Sequence, residues 1–569
     1  MSSLREAGLG PIVGHATDKS GRVWIRARET SSEKGGVAAE QRTIGVAAVV
    51  EKNGKPIDQD KIQAFYFRLH RERDRTGTFT AGGHVCLSGK KCKPLQPGTA
   101  YAVRIGTLNM DDPFGDDENI GSELLAERLP DPNVWIKDLL KLRPKFSEAR
   151  FRTFPKAGGD GPGNSLAFVL GSCRYPGIMW KIKDADRIFG PMAREATKGY
   201  PANRNAKERR PVDFALMVGD QIYADMLNRH VPLGLADTFE EFQERYHSAF
   251  GSRKMRRLLR NLPTYMILDD HEIEDNWHQD RIEKAESRKV YNLAIDAYRS
   301  YQWSHGPDSF NGHLYYRFDC GGYPFFVLDT RTQRFMDDVS DALEDNHLLG
   351  RPSLGDSEPS QLERLLKWLV DCQKERGDTP KFIVSSSVFA PNPMRARTGR
   401  KGNPKQKVEW AEGSDSWPAF PETRRAILDT ILRKKVQNVV FLSGDIHCAN
   451  VARLTFGGTA AAAKLKAYSI TSSAFYWPFW FADGEPSNFV HDSKDAKQKD
   501  SFKISGQKTM DYTAWNFTQE DNFCRVDVDK AGHKITVRPF DRDGELIHSR
   551  DWFGRPKDPL VSTLELAPW

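Results

Sequence analysis

Long apolar runs are missing from this chain of 569 residues, none approaching the roughly 18 uninterrupted apolar side chains that a membrane span needs. The opening MSSLREAGLGPIV has no basic segment leading into an apolar core and a small-residue cleavage site. No secretory signal is legible there, and a cytoplasmic location is favoured. Cysteine is sparse: Cys86, Cys92, Cys173, Cys320, Cys372, Cys448 and Cys524 make an odd, scattered set of seven. That excludes a disulfide framework and fits a reducing compartment. Cys86 and Cys92, which flank LSGKK, read as two thiols near a hairpin. The lack of any CysXXCys pair disfavours a zinc–thiolate structural site. A strong charge imbalance is missing too, since 84 basic against 77 acidic side chains leave +7. So mild a surplus suits an anionic small molecule but makes no case for a stable nucleic-acid partner. Internal repeats and low-complexity tracts are absent.

What is there reads as globular, with 39% hydrophobic and 28% charged residues. The length predicts two or more structural units. Residues 1–157 show short alternating strands such as Val23–Arg28 and Thr43–Val50, separated by Gly, Asn and Asp turns. This pattern predicts an N-terminal all-β sandwich. GlyGlyAspGlyProGlyAsn, 158–164, marks a boundary. From 164 to 555, apolar runs of strand length alternate with amphipathic helices, the texture of a layered α/β domain. One helix opens with a capping-box spacing, Thr238 to Glu241. PheCysArgValAspVal and LysIleThrValArgPro are expected to complete a sheet, with 556–569 a C-terminal tail. The polar segments 393–416 and 483–510 read as long surface loops.

The informative pattern lies at the ends of the apolar runs. SerLeuAlaPheValLeu runs into Gly171-Ser172-Cys173-Arg174, and PheAlaLeuMetVal into Gly219-Asp220-Gln221-Ile222-Tyr223-Ala224-Asp225. ThrTyrMetIleLeu precedes Asp269-Asp270-His271-Glu272, with Asp275-Asn276 close behind. PhePheValLeu precedes Asp329-Thr330-Arg331, and ValValPheLeu precedes Ser443-Gly444-Asp445-Ile446-His447. Ligands of open α/β sheets bind outside the carboxyl ends of the strands, so five such ends predict one rim and one site.

Carboxylates, imidazoles and an Asn crowded together repel one another unless cations sit among them. Thiolate, phenolate and imidazole suit a transition metal, ferric iron in particular, whereas Asp and Asn oxygens suit a hard cation such as calcium or manganese. Two unlike metals sharing a carboxylate are expected, with Asp220 the best bridge because Tyr223 follows three residues later. Such a pair can hold phosphate oxygens and generate a hydroxide nucleophile. Arg331, and Arg174 with it, could clamp phosphate, although Arg331 could equally pair with Asp329 or Asp269. His271 is a candidate general acid or phosphate donor. Asp269 is a candidate to cap or orient the loop, Glu272 to support the metal ligands from behind, and the aromatic run 475–480 to form core or a lid.

The blocks GSCRYP (171–176), GDQIYAD (219–225), LDDHEIEDNW (268–277), LDTRTQR (328–334) and LSGDIHCANV (442–451), after the opening GPIVGHATD, resemble in order the PhoD-like alkaline phosphatase family of the calcineurin-like metallophosphoesterases. The resemblance implies a four-layer α/β/β/α sandwich behind the β-domain. It also implies hydrolysis of phosphate monoesters and diesters. It assigns ferric iron to Cys173, Asp220, Tyr223 and His447, and calcium to Asp220, Asn276 and Asp445, with manganese or zinc as alternatives. Asp270, His271 and Arg331 are the expected catalytic residues, and Asp270 stands where related enzymes carry a metal-ligating Asn. The expected substrate is a small phosphate ester or a lipid- or nucleotide-derived diester. A phospholipase-D-like phosphodiesterase and a non-catalytic binding module retaining the fold are the competing readings.

Overall fold

The computed structural model describes residues 3–28, 41–83, 92–113, 127–158, 165–177, 182–197, 200–201, 209–225, 235–336, 343–354, 357–394, 416–479 and 484–569. Cys86 and most of the 393–416 segment lie outside the described residues.

Two sheets face each other in the larger part of the chain. The first has six strands in the order Thr264–Ile267, Phe214–Val218, Leu166–Gly171, Phe523–Asp529, Lys534–Phe540 and Ser562–Glu565. Its first three run parallel and the rest are antiparallel. The second has eight strands, of which Tyr323–Val327, Lys381–Val384, Val439–Ser443 and Ala467–Thr471 lie side by side and parallel.

Successive side chains of a strand point to opposite faces, and both faces of these strands are apolar. Leu166, Phe168 and Leu170 meet Phe325, Phe382 and Val440 of the opposite sheet. Ala167 and Val169 instead turn to the helices Phe239–Gly251 and Ala285–Tyr301. Ile383 and Phe441 likewise turn to Gln361–Arg376 and Pro421–Lys434. The result is the expected helix–sheet–sheet–helix sandwich. Phe168 stacks on Phe214 at 5.1 Å and meets Phe325 and Phe382 edge-on at 5.8 Å each. Truncating it to Ala would cost about 3–5 kcal/mol. The helix at 239–251 starts in the capping box of Thr238 and Glu241, and a second box, Ser360 with Glu363, starts 361–376.

Ahead of this unit a three-stranded sheet (Leu9–Ala16, Gly21–Arg26, Thr76–Ala81) faces a six-stranded one that includes Gln41–Lys52 and Ala100–Pro113. Val13, Val23, Phe79, Phe65 and Val103 fill the space between them. This β-layer is fixed to the larger unit by the Trp24 indole, which donates to the Ser300 carbonyl at 2.9 Å. A buried ion cluster reinforces the junction: Asp74 holds Arg26 at 2.5 Å and also bonds Tyr301 and His247.

Two sequence expectations need correction. Residues 502–510 of the segment read as a surface loop form a hairpin, Phe502–Ser505 with Lys508–Thr518, at the edge of the second sheet. Only one face of this edge strand is apolar, with Ile504 buried between exposed Lys503 and Ser505, so the polar composition hid it. The segment 556–569, read as a tail, contributes Ser562–Glu565 as the edge strand of the first sheet. Leu564 is buried in the inter-sheet core.

Candidate metal centre

The five strand ends converge. Parallel pairing of Leu166–Gly171, Phe214–Val218 and Thr264–Ile267 aligns their carboxyl ends, and the loops that follow carry Cys173, Asp220 with Tyr223, and Asp270 with His271. From the second sheet, Val439–Ser443 delivers Asp445 and His447. Two glycines permit the approach. A Cβ on Gly219, whose φ is +106°, would lie 2.5 Å from the Asp269 Cβ. One on Gly444 would lie 2.3 Å from Ser172 Oγ. The two sheets therefore touch, backbone against side chain, directly under the site.

Cys173, Asp220, Asn276, Asp445 and His447 all adopt left-handed backbone conformations, with φ of 57°, 54°, 54°, 72° and 49°. Each costs on the order of 1–3 kcal/mol for a residue with a Cβ, and such residues persist where the surroundings over-determine them. Five of the six residues proposed as metal ligands from sequence share this feature.

Asp220 sits at the centre. Its Oδ2 accepts from the Cys173 thiol at 3.4 Å and the Tyr223 hydroxyl at 3.5 Å. Its Oδ1 is buried with no hydrogen-bond partner. Cys173 Sγ also lies 3.1 Å from both Ser172 Oγ and Ser473 Oγ. His447 stacks on the Trp477 indole at 3.7 Å, and both its ring nitrogens are buried without a partner. Asn276 N–H donates to Asp270 Oδ2 at 2.7 Å. The ligand atoms of Asp220, Asp270 and His271 lie within 4.8 Å of one another, as do those of Asp269, Asp270 and Asp445.

The electrostatics call for positive charge. Burial first, and neighbouring acids second, push the Cys173 thiol, the Asp220 carboxyl and the Tyr223 phenol well above their ordinary values. Burial pulls His447 down to about 3, so its imidazole is neutral and its nitrogens are available as donors. For His271, burial lowers the pKa but Asp270, Asp220 and Asp225 outweigh it, and the group is raised well above its ordinary value. Anionic thiol, phenol and carboxylate cannot share this space without a cation. Orphaned oxygen and nitrogen atoms of Asp220 and His447, residues that line one cavity, are donors a cation fits.

A cavity of about 630 Å³ has Asp220, Asp225, Asp270, His271, Asp275, Asn276, Asp445 and His447 on its polar side, while Cys173 and Tyr223 stand behind Asp220, outside the lining. Pro393, Ile446, Trp477 and Phe489 form an apolar side. Both candidate phosphate arginines are withdrawn from it. Arg331 is fully buried, its Nε donating to Asp269 and its Nη2 3.3 Å from Asp270. It braces the carboxylates from behind, the ion-pair alternative with Asp269 read from sequence. Arg174 is buried against Asp186 at 2.7 Å.

Supporting residues surround the site, and of these Asp225 and Ser473 had no assigned role in the sequence. Asp225 accepts from the His271 Nδ1 side at 2.8 Å and from Asp275 N–H at 2.7 Å. Its place in GDQIYAD, five residues after Asp220, was the available signal. Glu272 accepts from Asp220 N–H at 3.1 Å, Gln221 N–H at 2.8 Å and Asp269 N–H at 2.8 Å, tying two site loops together. Asp269 and Glu272 cap the short helical turn at 270–272 reciprocally, the capping role read for Asp269 from sequence. Ser473 and Trp477 come from the end of a sixth strand, Ala467–Thr471, and from the aromatic run, which contributes wall as well as core.

A layered α/β domain with acidic, thiol, phenol and imidazole groups at one rim is the class that fold and site define. The family model of the PhoD-like phosphatases matches residues 192–533, and the chain belongs to that family. Alkaline phosphatase D of Bacillus subtilis (strain 168) is 25% identical over 322 residues, 52% of this chain and 48% of the relative. The chain thus spans about half the length of that curated relative. A solved structure described as that of PhoD superposes with a TM-score of 0.59 at 16% identity, covering 94% of this chain and 86% of the other, a likeness of fold.

Proposed function

We propose that the protein is a metal-dependent hydrolase of phosphate monoesters and diesters. The observation that carries this reading is Asp220, with one carboxylate oxygen facing a thiol and a phenol and the other buried without a partner, as a shared ligand requires. Cys173, Asp220, Tyr223 and His447 would hold ferric iron. Asp220, Asn276 and Asp445, with Asp270 adjacent, would hold calcium, and manganese or zinc are the alternatives. When bound, the cations supply Lewis acidity to phosphoryl oxygens and lower the pKa of water enough to furnish hydroxide near neutral pH.

The chain's own groups do the rest. Asp225 fixes the His271 ring through Nδ1, and its carboxylate favours the protonated ring, which is then fit to donate to the departing or phosphoryl oxygen. Arg331 holds Asp269 and Asp270 in place as carboxylates. In this reading the nucleophile is water rather than a side chain, so no covalent enzyme intermediate forms. The apolar side of the cavity would receive the organic part of the ester.

The test is hydrolysis of p-nitrophenyl phosphate and bis-p-nitrophenyl phosphate after chelation and after re-addition of each metal. Turnover that disappears with chelation and returns with iron and calcium is expected. No hydrolysis with any metal would overturn the proposal.

A further inference from the structure

Far along the chain, two adjacent aromatic side chains stand in solvent. Trp552 is 96% exposed and Phe553 77% exposed. They occupy the tip of a hairpin formed by His548–Arg550 and Pro556–Pro559. The tip is held in shape. Asp551 Oδ1 accepts from the Phe553 and Arg555 backbone N–H groups at 2.8 Å each, and Gly554 N–H donates to the Asp551 carbonyl at 2.9 Å. The Arg555 guanidinium lies 5.4 Å from the Phe553 ring centroid. Keeping a Trp and a Phe in water on an ordered turn forfeits the burial that such side chains ordinarily gain in folding.

The hairpin also has a definite location. Leu170 pairs with Cys524 and Phe523 with Phe540, so the chain before 523 and after 540 lies at the carboxyl end of the Leu166–Gly171 strand. Cys173 and the cavity are at that same end. Arg550 bonds Glu520 at 2.8 Å, and the next residue, Asp521, accepts from Trp477 N–H at 3.1 Å. The stem is thus tied to the cavity wall.

The size of the patch selects the partner. A Trp and a Phe offer about 150–250 Å² each, short of the roughly 800 Å² per partner of a stable protein interface. A bilayer needs no such area, because Trp and Phe settle at the boundary of headgroups and acyl chains, and nearby basic groups strengthen binding to anionic lipid. The charged groups around the tip balance, Arg550 pairing with Glu520 at 2.8 Å, Lys557 lying 3.8 Å from Asp558 and Arg555 facing the Asp551 turn, so the two rings carry the interaction. We propose that the Trp552–Phe553 hairpin inserts into the headgroup region of a lipid surface, docking the protein peripherally with the cavity rim turned toward the membrane.

The experiment is co-sedimentation of the full chain with phosphatidylcholine vesicles with and without phosphatidylglycerol. Wild-type protein should partition onto the vesicles with and without phosphatidylglycerol. The double variant Trp552→Ser/Phe553→Ser should lose at least about tenfold in partition coefficient, as removal of two anchoring rings implies. Trp552→Phe, which keeps an aromatic tip, should retain most of the binding and shows that the site tolerates substitution. The proposal is overturned by equal binding of wild type and double variant, or by no wild-type binding to either vesicle. A light-scattering mass that halves in the double variant without any vesicle binding would reassign the tip to contact between two copies. None of these readouts depends on the hydrolytic activity.

Discussion

The imidazole of His447 lies flat on the indole of Trp477, ring centroids 3.7 Å apart and planes 14° apart. His447 has no hydrogen-bond partner at either nitrogen, so this stacking is the contact that sets its ring plane. Trp477 in turn is held at its backbone by Asp521. Trp477→Ala should free the imidazole to rotate and lower metal affinity by about 10- to 100-fold, the usual effect of losing a group that orients a ligand. Activity measured against added metal checks this, since excess metal should restore much of the loss.

Asp220→Ala should remove both metals and abolish turnover while the fold persists. Elemental analysis alongside circular dichroism reads both. Retained metal with wild-type rates would refute the shared-ligand role.

Asp225 both orients His271 and, alongside Asp270 and Asp220, raises its pKa through a hydrogen bond and its charge. Asp225→Asn should therefore lower kcat by about 10- to 100-fold, the usual effect of losing an orienting partner, and move the alkaline limb of the kcat profile to lower pH. A profile displaced toward higher pH would contradict the assignment.

Asp74 ties the β-layer to the larger unit. Burial alone would raise its pKa, but hydrogen bonds from His247 and Arg26 and the Arg26 charge bring it down to about 2. A carboxylate depressed on folding stabilises above its unfolded value of 3.8, and the contribution is lost as pH falls through about 2. Asp74→Asn leaves Arg26 buried without its counter-charge and should cost about 3–5 kcal/mol. The denaturant midpoint at pH 7 measures this, and an unchanged midpoint would count against it.

Glu272 runs the other way. Burial raises its carboxyl to about 7 against the pull of its hydrogen bonds. A raised acid binds a proton in the folded state that the unfolded chain has released, so its effect on stability is lost as pH rises from 4.5 to about 7. Metal-free protein should melt at a lower temperature at pH 8 than at pH 5, and Glu272→Gln should flatten that part of the difference. Equal slopes in the two proteins would rule out Glu272 as the source.

Much of this could be read in the sequence. Apolar runs such as PheAlaLeuMetVal must be buried on both faces, and a polar block after each had to fall at a strand end. The capping box at Thr238 is likewise a local device, visible as spacing. The hairpin at 502–518 was not visible, because an edge strand needs only one apolar face. Arg331 was ambiguous for another reason. Its residue type suits phosphate and carboxylate equally, and only the fold shows Asp269 and Asp270 against its guanidinium.

The sequence by itself determined the layered α/β architecture, the set of donor side chains and their delivery to strand ends, because side-chain periodicity and residue chemistry are local properties. Tertiary structure alone decided which groups face one another: Asp225 behind His271, Trp477 under His447, Arg331 behind the carboxylates, and five ligand candidates in left-handed backbone. Those are consequences of two sheets closing on each other at Ser172 and Gly444, a contact between residues 272 positions apart that no local pattern encodes.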